Sequence, residues 1–109
     1  MRHFTPRQLS EYLSQATQTK APPFLLDVRE HWEYQVCRIE GAQLLPMRQV
    51  PNAYPSLDRH RETVVICHHG VRSYQVAYFL EHMGFTNVVN LTGGVAAWAR
   101  DVDPAMPTY

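Results

Sequence analysis

Thr63-Val64-Val65-Ile66-Cys67-His68-His69-Gly70-Val71-Arg72-Ser73 decides how this 109-residue chain is read. The β-branched run from Thr63 to Ile66 predicts a strand, extending to Cys67, that is buried on both faces. Val76, Phe79, Leu80 and Met83 recur at helical spacing further on, and Gly84 supplies the residue just past the helix end. A cysteine thus sits where a buried strand gives way, through a short loop, to a helix N-terminus. Backbone N–H groups point into such a loop and favour negative charge there.

Working outward, Phe24-Leu25-Leu26-Asp27-Val28 and Asn87-Val88-Val89-Asn90-Leu91 are apolar runs of the same kind. Arg2 to Phe4 and Leu44-Leu45 read as two further short strands. Helical segments are expected between them. Thr5 and Gln8 form a capping-box pair around Pro6, followed by the stripe Leu9, Tyr12, Leu13 and Ala16. Gln18 to Pro23 reads as a linker, because two prolines exclude a regular helix or a central strand. Glu30 to Gln35 predicts one or two turns, and Arg48 to Leu57, with Pro51 and Pro55, a broken helix. A last short helix starts after Gly93-Gly94 and carries Ala97 and Trp98. Strands alternating with helices predict an α/β domain: a central, mostly parallel sheet of about five strands with helices on both faces. One domain spans residues 1–109, with 103–109 expected as an extended, Pro-rich tail.

Composition narrows the function classes. Ten Lys plus Arg balance ten Asp plus Glu, with no basic face or tail, so neither nucleic acid nor an anionic membrane is expected as a partner. The start, Met1 to Arg7, has no apolar stretch of signal-peptide kind, and a cytoplasmic location is expected. Two cysteines, Cys37 and Cys67, are too few for a disulfide framework.

In open α/β sheets ligands sit at the carboxyl ends of the strands. Asp27, Cys67 and Thr92-Gly93-Gly94 all fall at or just past such ends, so three segments point to one rim. A free thiol has a pKa of roughly 8.5, and a helix N-terminus or a cation beside it favours the nucleophilic thiolate. Gly70 allows a loop bend that a β-carbon would oppose. Arg72, four intervening residues after Cys67, offers a fork-shaped donor for an oxyanion. Backbone groups from His68 through His69, Gly70, Val71 and Arg72 to Ser73 are the expected anion nest. The loop can therefore bind an anionic substrate and carry a covalent adduct on sulfur.

Cys67-His68-His69-Gly70-Val71-Arg72 resembles the six-residue active loop of single-domain rhodaneses, the thiosulfate sulfurtransferases. Leu26-Asp27-Val28-Arg29-Glu30, Glu33-Tyr34 through Ile39-Glu40-Gly41-Ala42 and Pro46, and Leu91-Thr92-Gly93-Gly94 with Ala97-Trp98 are similar to the family's other elements in order and spacing. The chain departs from the pattern at Cys37-Arg38, where the family usually carries Gly-His, and in offering His68 and His69 where many loops carry extra Arg or Lys. The resemblance implies a reaction without cofactor or metal: the Cys67 thiolate takes the outer sulfur of thiosulfate, sulfite leaves, and cyanide or a thiol removes the sulfur from the persulfide. A thiol-bearing protein such as thioredoxin is an implied acceptor. Asp27 and Arg29 are expected as a supporting buried pair behind the loop.

Three other functions share these features. The dual-specificity cell-cycle phosphatases share the fold that the resemblance implies but place five residues between Cys and Arg, whereas four stand here. Non-catalytic regulatory modules commonly lose the cysteine. A Cys37–Cys67 dithiol would be a redox device, with a separation that sequence does not fix. A zinc site from the cysteines and His68–His69 lacks paired ligand spacing.

Overall fold

Five parallel strands in the order β1-β5-β4-β2-β3 form the sheet: β1 (Arg2–Phe4), β2 (Phe24–Asp27), β3 (Gln43–Leu44), β4 (Thr63–Ile66) and β5 (Val88–Leu91). Every pairing is parallel, with Leu26 opposite Val65 and Val64 opposite Val89 across the centre. The computed structural model describes residues 1–19 and 22–109, with side chains left aside at 16–19. Lys20 and Ala21 of the expected linker, and the side chain of Ala16 in the helical stripe, lie outside the described residues.

The three central strands are apolar on both faces because helices cover both. Val64 and Ile66 of β4 point to one side, into a core with Leu9 of α1 (Pro6–Thr19) and Val95 and Trp98 of α5 (Gly94–Asp101). Val65 and Cys67 point to the other, against Val50 of α3 (Val50–Ala53) and Val76, Ala77 and Leu80 of α4 (Val71–His82). Period-two alternation along a strand thus builds two cores on one sheet. The sheet is parallel throughout, and its strands fall where expected except that β3 covers Gln43–Leu44, one residue earlier than Leu44-Leu45.

Local chemistry accounts for the boundaries. The Gln8 amide donates to Thr5 Oγ1 at 3.2 Å and the Thr5 amide donates to Gln8 Oε1 at 2.8 Å, a reciprocal cap that starts α1. That helix continues to Thr19, two residues into the stretch expected as linker. The Pro51–Pro55 segment is broken as its prolines require, into 3-10 turns at Met47–Gln49 and Tyr54–Ser56 flanking α3. Residues 103–109 do not simply extend. The Met106 amide donates to the Asp103 carbonyl at 3.0 Å, Met106 is buried, and the chain returns toward the cysteine loop.

Candidate active site

Cys67 lies one residue past β4, and the chain turns through His68, His69 and Gly70 into α4. Gly70 caps that helix at φ +101°, and a β-carbon there would stand 3.0 Å from the Gly93 amide nitrogen. The Gly70 N–H donates to Cys67 Sγ at 3.0 Å. On the sulfur's other side the thiol donates to Ser73 Oγ at 3.3 Å, and Ser73 donates to Asn90 Oδ1 at 2.5 Å. Cys67 is only 1% exposed, yet its sulfur faces an amide and a hydroxyl rather than hydrocarbon alone.

The loop is also held from behind. The Val95 and Ala96 amides, in the first turn of α5, donate to the Cys67 and His68 carbonyls at 2.9 and 3.1 Å. Gly94 makes this approach feasible. A β-carbon there would come within 2.3 Å of the Cys67 carbonyl oxygen and 2.4 Å of His68's. Gly93-Gly94 therefore supports the loop and does not merely begin a helix.

Arg72 reaches across to α2 (His31–Val36), where its Nη1 and Nη2 donate to Glu33 Oε1 and Oε2 at 2.7 and 2.8 Å. Glu33 also accepts the Glu30 amide on Oε1 and the Tyr109 hydroxyl on Oε2, so both oxygens are saturated. Hydrogen bonding to Arg72 holds the Glu33 carboxyl down to about 2, against the opposing effect of burial. The same contact keeps Arg72 firmly protonated. The half-buried guanidinium of the loop thus carries an internal counter-ion.

Asp27 and Arg29 pair beneath the rim, both fully buried, with Nη2 2.7 Å and Nε 2.9 Å from the carboxylate. Arg29 spends its remaining donors on the Glu33 and Cys37 carbonyls, at 3.3 and 2.7 Å, and on Tyr109 Oη at 3.0 Å. Burial opposes its charge, but the hydrogen bonds to Asp27 and Tyr109 hold its pKa up. The pair thereby ties the end of β2 to the last turn of α2. Cys37, where the family usually has glycine, adopts an extended backbone (φ −162°) that any residue accepts.

Cys37 packs in the core on the α1–α5 side of the sheet, whereas Cys67 belongs to the opposite core, which separates the two thiols. His68 stacks on Tyr109, ring centroids 4.1 Å apart, and meets His69 at a tilt of 34° with centroids 3.9 Å apart. Burial, and then the neighbouring His69, push its imidazole below the usual range. Val71 is exposed at the helix start. A cleft of about 1000 Å³ lined by Leu13, Phe24, Leu44 and Trp98 opens elsewhere and includes no loop residue.

Cys67, His68, Arg72 and Ser73 thus come together with Asp27 and Arg29 behind them. Sequence reasoning missed Glu33, Asn90 and Tyr109. Glu33 carried one usable signal, its place three residues after Glu30 in a capping-box pattern, though nothing nearby indicated Arg72 as its partner.

Comparison with known proteins agrees with the geometry. The family described as Rhodanese-like domain matches residues 5–101. A sulfurtransferase of Allochromatium vinosum is 37% identical over 91 residues, covering 84% of this chain and 85% of that protein. The chloroplastic rhodanese-like/PpiC domain-containing protein 12 of Arabidopsis thaliana is 40% identical over 89 residues, 78% of this chain, but the matched stretch is only 30% of its length. The crystal structure of a rhodanese-like domain protein from Staphylococcus aureus superposes with a TM-score of 0.78 at 31% identity, covering 90% of this chain and 91% of that one.

Proposed function

Because the chain belongs to the rhodanese-like domain family, we propose that it is a sulfurtransferase working through a persulfide on Cys67. The thiolate attacks the outer sulfur of thiosulfate or another sulfane-sulfur donor. The S–S bond of thiosulfate breaks, sulfite departs with the bonding electrons, and the transferred sulfur stays on Cys67 as an anion. Cyanide in the test tube, or a thiol in the cell such as that of a thioredoxin-like protein, then attacks that sulfur and returns Cys67 to thiolate.

The single observation that carries this reading is the Gly70 amide, 3.0 Å from Cys67 Sγ at the mouth of α4. Such a donor stabilises negative charge on sulfur before and after transfer. Ser73 can turn its hydroxyl toward a thiolate once the thiol proton has left, with its oxygen already 3.3 Å away. A loop with four residues between Cys67 and Arg72 suits a single added sulfur better than the tetrahedral phosphate that a five-residue spacing admits.

Intact-mass measurement after thiosulfate treatment tests it. The expected product is the chain plus one sulfur atom, removable by cyanide or reductant, absent in Cys67→Ser and retained in Cys37→Ser. Release of phosphate from an aryl phosphate without any sulfur loading would replace this reading with the phosphatase one.

A further inference from the structure

An aromatic residue that borders the cysteine loop comes from beyond the family-matched stretch of residues 5–101. Tyr109 lays its ring on His68 with centroids 4.1 Å apart and planes 16° from parallel, while Trp32 braces it edge-on at 5.3 Å. Its hydroxyl donates to Glu33 Oε2 at 2.8 Å and accepts from Arg29 Nη1 at 3.0 Å. Three residues earlier, Met106 is buried in the core on the α1–α5 side, so the segment is fastened at both ends. Pro107 stiffens the span between. Tyr109 is 38% exposed, and Cys67, the chain neighbour of the His68 on which it lies, is 1% exposed.

We infer that Tyr109 is a specificity-determining residue, a wall that admits sulfane sulfur on a compact donor and turns away sulfur carried on a bulkier body. This rests on the sulfurtransferase reading above. Three features favour a wall over a loose surface contact. The ring lies stacked on His68 and is met edge-on by Trp32. The hydroxyl is bonded on both sides to buried or half-buried charged groups. A stacked ring, moreover, contributes area without many rotamers to freeze. Removing the ring opens the space over His68, while the Asp27–Arg29 and Glu33–Arg72 pairs remain to hold the loop.

Methanethiosulfonate and benzenethiosulfonate test the wall, because both are monoanions that react in the same way. The Cys67 thiolate attacks the outer sulfur, the S–S bond breaks, and the sulfinate leaves with the electron pair. The rate of persulfide formation on Cys67, read by quenched intact mass and normalised to each donor's rate with a free thiol, gives a size preference. The wild-type chain is expected to favour the methyl donor at least tenfold, and Tyr109→Ala to shrink that preference at least tenfold. Should Tyr109→Ala not fold, Tyr109→Leu, lacking the flat ring, is read in its place. A wild-type chain without size preference, or a variant with the wild-type ratio, overturns the assignment; a merely structural role would slow both donors alike and leave the ratio unmoved. If neither donor leaves sulfur on Cys67 in any variant, it is the sulfurtransferase reading that fails.

Discussion

Replacing Glu33 with glutamine should improve capture of a dianionic donor. Glu33 sets a full negative charge 2.7 and 2.8 Å from the two nitrogens of Arg72 that, on the proposed reading, are to grip thiosulfate. A dianion held about 6 Å from that carboxylate would be repelled by roughly 5 kcal/mol at an effective dielectric of about 20. The Arg72 side chain is 34% exposed. Solvent and salt therefore leave about 1–2 kcal/mol, roughly a tenfold change in rate. Glutamine keeps the shape and one oxygen for the Glu30 amide and Arg72 Nη1. The assay is steady-state thiocyanate formation from thiosulfate and cyanide, comparing kcat/KM for wild type and Glu33→Gln at low and high salt. A rise of about tenfold at low salt, fading as salt increases, is the expected outcome. A fall in kcat/KM with the fold intact would refute the reasoning, because it would mean that thiosulfate needs Arg72 held in place more than it needs the charge freed.

The same carboxylate sets an acid limit: its folded value of about 2 lies below the ordinary 4.5, so its stabilisation is complete above about pH 5 and is lost as pH falls from 4.5 toward 2. Urea midpoints of wild type and Glu33→Gln should accordingly converge over that interval. Asp27→Asn strands the Arg29 guanidinium, which is fully buried, and should cost about 3–5 kcal/mol in urea unfolding; a loss under about 1 kcal/mol would contradict the buried-pair account. Gly94→Ala should abolish sulfur loading and lower stability by about 3 kcal/mol or more, since its β-carbon meets two loop carbonyls. Gly41→Ala is the comparison, at φ +87° with nothing within 4 Å of the new carbon, and should cost only about 1–2 kcal/mol for the backbone while leaving loading intact.

The parallel sheet was legible because its three central strands, β2, β4 and β5, are apolar runs buried on both faces, a pattern that a two-sided helical cover satisfies. Cys67, Gly70 and Arg72 were legible because strand end, loop and helix start occupy one contiguous stretch. What escaped depends on side chains meeting across long sequence separations. Glu33 and Arg72 are 39 residues apart, and Tyr109 reaches Glu33 over 76. A Pro-rich end gives no periodicity from which a return to the site can be read, and Asn90 hides inside an apolar strand where its register opposite Val65 alone brings it near Ser73. Helix α1 outran its expected end because Pro22 and Pro23 forbid helix at themselves and not at Gln18 or Thr19.

The clasp between the first turn of α5 and the carbonyls of Cys67 and His68 has a bearing on biogenesis. During synthesis the cysteine leaves the ribosome nearly thirty residues ahead of the amides that fix its loop. Until those amides arrive, the thiol belongs to a chain without its finished cradle. On the proposed reading, sulfur-handling competence is thus timed to the completion of the domain, and a nascent or truncated chain ending before Val95 would carry the Cys67 thiol without the amides that hold its loop.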